Sequence, residues 1–102
     1  MRKEDAIFGL CLRAGCLVSG EEQTLAAVKN GSALLVVVAE DASAQTKKKF
    51  HDKCAHYRVT LAEYGRMQDL GHVLGKEKRA VLAVTEKGFA KKIREIISSP
   101  LR

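Results

Sequence analysis

The stretch that decides the fold is Leu34-Leu35-Val36-Val37-Val38-Ala39, six consecutive apolar residues followed at once by Glu40-Asp41. It has none of the alternation between polar and apolar residues that marks a strand with one face in water. It therefore predicts a strand covered on both faces. The run Ala80-Val81-Leu82-Ala83-Val84 has the same character and predicts a second buried strand.

Segments with helical periodicity surround these strands. Apolar residues spaced three and four apart, together with suitable capping residues, predict five helices. We expect them from Arg2 to Ala14, from Gly20 to Asn30, after caps at Asp41 and Ser43, from Gln68 to Leu74, and after a cap at Thr85.

Two of these helices have a clear predicted core stripe. In the third helix it comprises Thr46, Phe50, Cys54 and Tyr57, and in the last helix Phe89, Ile93, Ile96 and Ile97. Two weaker strands are expected at Leu17-Val18-Ser19 and from Arg58 to Tyr64, and a short tail at Ser98-Ser99-Pro100.

The alternation of strands and helices predicts an α/β fold, a three-layer α-β-α sandwich around a small mixed four-stranded sheet. With 102 residues, the chain is expected to form a single domain over residues 1–102. A domain of this size is too small for two lobes around a deep cleft, which disfavours an enzyme with a large cofactor. No cofactor is expected.

The charge balance suggests an anionic partner. Eighteen Lys and Arg against twelve Asp and Glu give a net charge of +6, typical of proteins that bind RNA, DNA or anionic membranes. A solvated basic surface without a partner is the alternative. The charged start Met1-Arg2-Lys3-Glu4-Asp5 and the lack of a long apolar run predict a cytoplasmic protein without a membrane segment.

Two clusters of cations stand out. Lys47, Lys48 and Lys49 are consecutive in a predicted helix, so they point in different directions and at most two can face one ligand. Lys48 is placed to pair with Asp52. The second cluster is Lys76-Glu77-Lys78-Arg79, which lies in a loop between a helix and a buried strand, where binding groups are often presented.

The sequence offers no catalytic or metal-binding constellation. His51 and Cys54 share a helical face, but a zinc site needs at least three protein ligands. Three cysteines without a CxxC spacing predict free thiols. The pair Glu40-Asp41 resembles the acidic corner of a phosphoacceptor domain, but no further paired Asp is found and Asp41 is expected to cap the next helix.

The turn Leu17-Val18-Ser19-Gly20-Glu21-Glu22-Gln23-Thr24 carries the strongest functional signal. It gathers Ser, Gly, two carboxylates and an amide where a helix begins, so free backbone N–H groups and polar side chains meet on one exposed surface. Such a surface suits binding better than covalent chemistry.

With this turn, the chain resembles the kink-turn RNA-binding ribosomal-protein superfamily of the archaeal large-subunit seven-Ae type, in particular its small bacterial YlxQ-like branch. The resemblance covers nearly the whole chain. The most specific runs are Gly20-Glu21-Glu22-Gln23 and Val38-Ala39-Glu40-Asp41-Ala42-Ser43, and Ala14-Gly15, Lys47-Lys48-Lys49, Leu70-Gly71 and Ala80-Val81 add to them.

The resemblance implies an α-β-α sandwich that binds a sharply bent RNA internal loop with tandem sheared G·A pairs. It implies three groups of RNA-binding residues: the recognition turn and its helix, the pocket for a flipped base, and a second loop. In this sequence the groups are Gly20, Glu21, Glu22, Gln23 and Ala26; Ser43, Lys47 and the neighbourhood of Arg66 and Met67; and Lys78, Arg79 and Ala80.

The recognition turn departs from the family pattern at three positions. Glu22 replaces Asn and so cannot donate to guanine, Gln23 replaces Glu and can both donate and accept, and Ala26 replaces a Lys. We expect either weaker kink-turn binding than in archaeal relatives or recognition of a different RNA fold.

The sequence thus predicts a non-enzymatic, monomeric protein that binds structured RNA of kink-turn type, with ribosomal RNA as a candidate target. A protein-interaction module of the same fold is the alternative, because the Glu21-Glu22 turn also suits a basic partner. A small hydrolase or metal enzyme is disfavoured by the missing constellation.

Overall fold

The computed structural model describes residues 3–97, with the side chains from Ala6 onward. The expected helix start at Arg2 and the Ser98-Ser99-Pro100 tail lie outside the described residues. The elements follow in the order α1 (Lys3–Arg13), β1 (Leu17–Ser19), α2 (Glu21–Asn30), β2 (Leu35–Val38), α3 (Ala44–Tyr57), β3 (Thr60–Glu63), α4 (Met67–Val73), β4 (Val81–Val84) and α5 (Lys87–Ile97).

The four strands form one mixed sheet in the order β1-β4-β2-β3. β2 pairs antiparallel with β4, from Leu35 opposite Val84 to Val38 opposite Val81. β1 is antiparallel to β4, and β3 is parallel to β2. Every residue of β2 and β4 is buried, as the two apolar runs predict.

Helices cover both faces of the sheet, which confirms the three-layer sandwich. α1 packs against α4 and α5 on one face, and α2 packs against α3 on the other. The largest buried side chains contributed by the helices are Phe8 from α1, Phe50 from α3, Leu70 from α4 and Ile93 from α5. The crossover from β2 to β3 runs through α3, as a parallel pair of strands requires.

The core stripe of α3 is shorter than the sequence predicts. Thr46, Phe50 and Cys54 are buried, but Tyr57 is 40% exposed. The helix ends because Arg58 adopts a left-handed conformation with φ of 60°. The chain then reverses and Val59 donates its N–H to the Cys54 carbonyl, so Val59 packs against the core instead of Tyr57.

Three other expectations need correction. The strand predicted from Arg58 to Tyr64 is confined to Thr60–Glu63. Thr85 does not cap α5, because the Glu86 carboxylate accepts the Phe89 N–H at 2.8 Å. Glu86 has a lowered pKa because it accepts hydrogen bonds from the backbone N–H groups of Phe89 and Gly88. Asp41 does not cap α3, because its carboxylate accepts a hydrogen bond from the start of α4 instead.

One glycine sets how closely α4 approaches the loop that follows it. A Cβ atom at Gly71 would overlap the carbonyl oxygen of Glu77 and lie 2.8 Å from the Cα atom of Lys78. The Gly71 carbonyl also accepts the Lys76 N–H at 2.9 Å. The backbone of residues 76–78 is therefore packed directly onto α4.

We predict that Gly71→Ala lowers the free energy of unfolding by about 1–3 kcal/mol, because the new methyl group must push the loop away. Gly9→Ala is the matched control, since Gly9 is also helical and nothing but the end of Arg13 lies near its Cβ position. That change should raise stability by about 0.5–1 kcal/mol. Urea denaturation measures both, and equal stability of Gly71→Ala and the wild type would contradict the packing argument.

Candidate nucleic-acid interface

The carboxyl ends of β1, β2 and β3 meet the amino end of β4 at one edge of the sheet, which we call the upper edge. This follows from the strand directions. Three backbone hydrogen bonds fix the loops there: Gly20 N–H to the Val81 carbonyl at 3.0 Å, Ala39 N–H to the Ala80 carbonyl at 2.8 Å, and Glu40 N–H to the Gly65 carbonyl at 2.7 Å.

The turn into α2 depends on glycine. Gly20 has φ of 89° and ψ of 156°, a combination that side chains exclude. Its carbonyl accepts the Thr24 N–H at 3.0 Å and begins the helix. Among the described residues, no group accepts a hydrogen bond from the backbone N–H groups of residues 21–23. The first turn of α2 therefore offers three donors to a ligand.

Glu21 is held by α3. Its carboxylate accepts a hydrogen bond from the Thr46 hydroxyl at 3.1 Å and pairs with Lys49 at 2.9 Å. The Ser43 hydroxyl in turn donates to Thr46 Oγ1 at 3.0 Å. The hydrogen bonds from Lys49 and Thr46, and the positive charge of Lys49, hold the pKa of Glu21 below its ordinary value. Glu21 thus joins the start of α2 to the first turns of α3.

Glu22, Gln23 and Ala26 are all exposed. They lie on one side of α2, because residues three and four apart in a helix are neighbours. The side chains of Glu22 and Gln23 form no hydrogen bond or ion pair with any residue from Ala6 to Ile97. All three positions are accessible to a partner that approaches the upper edge.

Ser43 and Lys47 lie at the start of α3. Ser43 caps the helix, and its hydroxyl accepts the Thr46 N–H at 3.1 Å. Lys47 pairs with Glu63 of β3 at 3.3 Å, and His51 contacts the same carboxylate at 2.9 Å. His51 and Lys47 lower the pKa of Glu63. The positive charge of Lys47 is therefore partly neutralised by the Glu63 carboxylate. The expected pairing of Lys48 with Asp52 is confirmed, at 3.0 Å.

Asp41 does not cap α3 as predicted. Its Oδ1 accepts the Met67 N–H at 2.7 Å, and its Oδ2 lies 3.5 Å from the guanidinium of Arg66. The carboxylate caps α4 because the parallel pairing of β2 and β3 brings the segment after β3 beside the end of β2. Arg66 and Met67 therefore join the upper edge through Asp41.

The loop before β4 completes this edge. Arg79 donates its backbone N–H to the Met67 carbonyl at 3.0 Å, and its guanidinium donates to the Lys78 carbonyl at 3.1 Å. Lys76 and Lys78 are exposed and have no acidic partner within the described part of the chain. Residues 75–79 line an open hollow of 630 Å³.

The contacts above link the recognition turn, the start of α3, the start of α4 and the second loop in one region. The structure adds three residues that sequence reasoning gave no role at this edge: Asp41, Thr46 and Lys49. The sequence signal for the contact between Thr46 and Glu21 is that Thr46 is a polar residue within the otherwise apolar stripe of α3.

Two observations concern metal-binding and nucleophilic side chains among the described residues. Among residues 6–97 no group of three His, Cys, Asp or Glu side chains is placed to hold a metal ion. Burial raises the pKa of Cys11 to about 12 and that of Cys54 to about 11, which makes both thiols poor nucleophiles at neutral pH. Over the same range no helix has the length and apolar character needed to cross a bilayer.

The family described as Ribosomal protein L7Ae/L30e/S12e/Gadd45 matches residues 8–94. The chain belongs to this family. The RNA-binding protein YlxQ of Bacillus subtilis (strain 168) is 44% identical over 87 residues, which cover 85% of this chain and 87% of the relative. The resemblance inferred from the sequence is thereby confirmed.

Two solved structures of similar fold extend the comparison. A protein of unknown function from Bacillus halodurans C matches with a TM-score of 0.92 at 39% identity, covering 97% of this chain and 100% of that one. The Giardia lamblia 15.5kD RNA binding protein has a TM-score of 0.78 at 16% identity, covering 97% of this chain and 92% of that one. The second similarity shows that the α-β-α fold of the family is shared.

The Glu21 network generates a prediction on pH dependence. Because the pKa of Glu21 in the folded protein lies below its ordinary value of 4.5, its pairing stabilises the fold above that pH. The stabilisation is lost as the pH falls through the lowered pKa. Glu21→Gln should therefore reduce stability at neutral pH, by less than about 1 kcal/mol because solvent screens an exposed ion pair.

The matched control is Glu22→Gln, which removes the same charge from a neighbouring residue that has no partner among residues 6–97. Thermal unfolding between pH 7 and pH 3 measures both variants. The difference between wild type and Glu21→Gln should close at low pH and in high salt. A constant difference at every pH would show that ionisation of Glu21 contributes nothing.

Proposed function

We propose that this protein binds structured RNA of kink-turn type at the upper edge, with the first turn of α2 inserted into the opened major groove. The observation that carries the proposal is the convergence of the recognition turn, the Ser43 and Arg66 region and the Lys78-Arg79 loop at one edge. Relatives named as RNA-binding proteins support it.

The physical reason for a bent target lies in the shape of RNA. An ordinary A-form helix has a deep and narrow major groove that side chains cannot enter. A sharply bent internal loop opens this groove and exposes the edges of its guanines. A helix end with free N–H groups and exposed polar side chains then fits, and α2 has both.

Only a few groups at the start of α2 are available to contact RNA bases. With its carboxylate committed to Thr46 and Lys49, Glu21 serves to hold the turn in place. The free N–H groups of residues 21–23 are donors suited to guanine O6 and N7. These N–H groups supply part of the hydrogen-bond donor capacity that is missing at Glu22, because an ionised carboxylate can only accept. The Gln23 amide donates and accepts, and Ala26 leaves space without charge.

The phosphate contacts come from the second loop and its surroundings. Lys76 and Lys78 have no acidic partner in the described part of the chain, and Arg79 is only partly buried. Arg66 and Lys47 each share their charge with one carboxylate. We expect about four or five phosphate contacts in total, with ribosomal RNA as the preferred class of target and a cytoplasmic, monomeric, non-enzymatic role.

The first test measures salt dependence. With four or five phosphate contacts, a plot of log affinity against log salt should have a slope of about −3 to −4. Lys78→Ala with Arg79→Ala should weaken binding to every structured RNA and flatten the slope by roughly one to two units. Filter binding to a kink-turn RNA over a range of salt concentrations gives both values.

Lys87→Ala with Lys91→Ala is the control, since it removes the same charge from α5, which begins at the other edge of the sheet. It should leave the slope nearly unchanged. Equal effects of the two double variants would mean that net charge, and not the loop, governs binding. No binding of any structured RNA at low salt would contradict the proposed function and favour the protein-interaction module.

A second test restores the family pattern. Glu22→Asn with Ala26→Lys should tighten binding to a standard kink-turn at least about five-fold, because one recovered bidentate base contact is worth about 1–3 kcal/mol. The comparison RNA has its G·A pairs replaced by Watson–Crick pairs. A gain confined to the intact kink-turn supports the inherited mode of recognition.

Two other outcomes are informative. An equal gain on both RNAs, fading with salt, would show only that removing a carboxylate relieves repulsion from phosphate. A loss of affinity would mean that Glu22 already reads a base in a target that the family pattern does not describe.

A further inference from the structure

A second surface of unusual composition lies at the opposite edge of the sheet. An open hollow of 320 Å³ runs between α5 and the amino ends of β2 and β3, and we call it the lower groove. Its lining combines three apolar residues, one threonine and three cations: Leu34, Leu35, Ala90, Thr60, Lys87, Lys91 and Arg94.

The floor of the lower groove is apolar. Leu34 is 42% exposed, one of few large apolar side chains in the described residues with such exposure. The exposure does not come from a frayed strand, since Leu34 N–H donates to the Val84 carbonyl at 2.8 Å. Thr60 of β3 lies opposite Leu35 of β2, so the side chains of Thr60 and Leu35 project to the same face of the sheet.

The rim of the lower groove is cationic. Lys87, Lys91 and Arg94 follow one another at intervals of four and three residues, so they share one side of α5. No carboxylate among residues 6–97 pairs with any of them. The three consecutive lysines of α3, by contrast, are each paired with an acidic side chain. The rim of the lower groove therefore carries three cations with no acidic partner among residues 6–97.

We propose that the lower groove binds an acidic, leucine-containing segment of a partner protein. The apolar floor takes an aliphatic anchor, and the three cations take carboxylates on either side of it. Lys87 and Lys91 are about 6 Å apart along the helix axis. Alternate residues of an extended peptide, about 6.6–6.8 Å apart, match that spacing.

The composition favours a peptide over a second stretch of RNA. Single-stranded RNA is held by cations together with aromatic side chains on which bases stack. The lower groove contains no aromatic residue among those that line it, and phosphates gain nothing from the aliphatic floor. An acidic peptide with an apolar anchor uses both features.

The lower groove and the upper edge lie at opposite ends of the strands. Four-residue strands separate them by about 13 Å, and the hollow of residues 75–79 shares no lining residue with the lower groove. The inference is therefore independent of the proposed RNA function, and the two can be tested separately.

The test uses a short fluorescent peptide in which leucine and glutamate alternate, with binding followed by fluorescence anisotropy on the full chain. Lys91→Glu should weaken binding at least about ten-fold, because it replaces an attraction by a repulsion in the groove. Lys92→Glu makes the same charge change one residue along the helix, about 100° away and outside the lining. It should change the affinity less than about two-fold.

The apolar floor is tested separately. Leu34→Ala should weaken binding at low and high salt alike, whereas the effect of Lys91→Ala should fade as salt is added. A peptide in which serine replaces leucine should bind more weakly than the original. Thermal unfolding of each variant checks that the fold is intact, and all substituted side chains are exposed.

Several results would overturn the proposal. They are no peptide binding to the wild type at low salt, equal losses for Lys91→Glu and Lys92→Glu, or equal binding of the serine peptide. A Lys91→Glu variant that loses affinity for a kink-turn RNA but not for the peptide would assign the groove to RNA instead.

Discussion

The antiparallel pairing of β2 with β4 is the constraint on which the rest of the structure depends. Four buried residues of each strand face one another across the centre of the sheet, and β1 and β3 are added outside them. This arrangement places three strand ends and one strand start at the upper edge. Segments distant in the sequence, from Gly20 to Ala80, become neighbours there because of it.

Charge is distributed unevenly around this framework. Three acidic side chains near the upper edge stabilise the fold, since Glu21 joins two helices, Asp41 caps α4 and Glu63 receives Lys47 and His51. Cations of the helix α3 are thereby partly neutralised, while those of the loop before β4 and of α5 are not. Cations without an acidic partner among residues 6–97 therefore occur on both of these surfaces.

The sequence predicted the layers of the fold because its signals were local. Continuous apolar runs and helical periodicity required no knowledge of distant contacts. It failed where the outcome depends on tertiary neighbours. Asp41 has the right spacing to cap α3, but the Met67 N–H arrives from another part of the chain and takes its carboxylate. Tyr57 fits the helical stripe, but the reversal at Arg58 brings Val59 to the core instead. The positions at the upper edge were found by resemblance, whereas the Thr46 and Lys49 contacts of Glu21 required coordinates.

The close contact at Gly71 has a consequence for the kinetics of association. Since the backbone of residues 76–78 already rests on α4, the loop does not have to be ordered when a polyanion arrives. Only the long side chains of Lys76 and Lys78 lose freedom, at a cost of about 0.5–1.5 kcal/mol each. Long lysine side chains on an ordered backbone can contact an approaching polyanion from many directions. The contacts can then become closer without rearrangement of the loop backbone. In the proposed RNA complex, the loop is therefore suited to rapid capture, and discrimination between targets falls to the turn into α2.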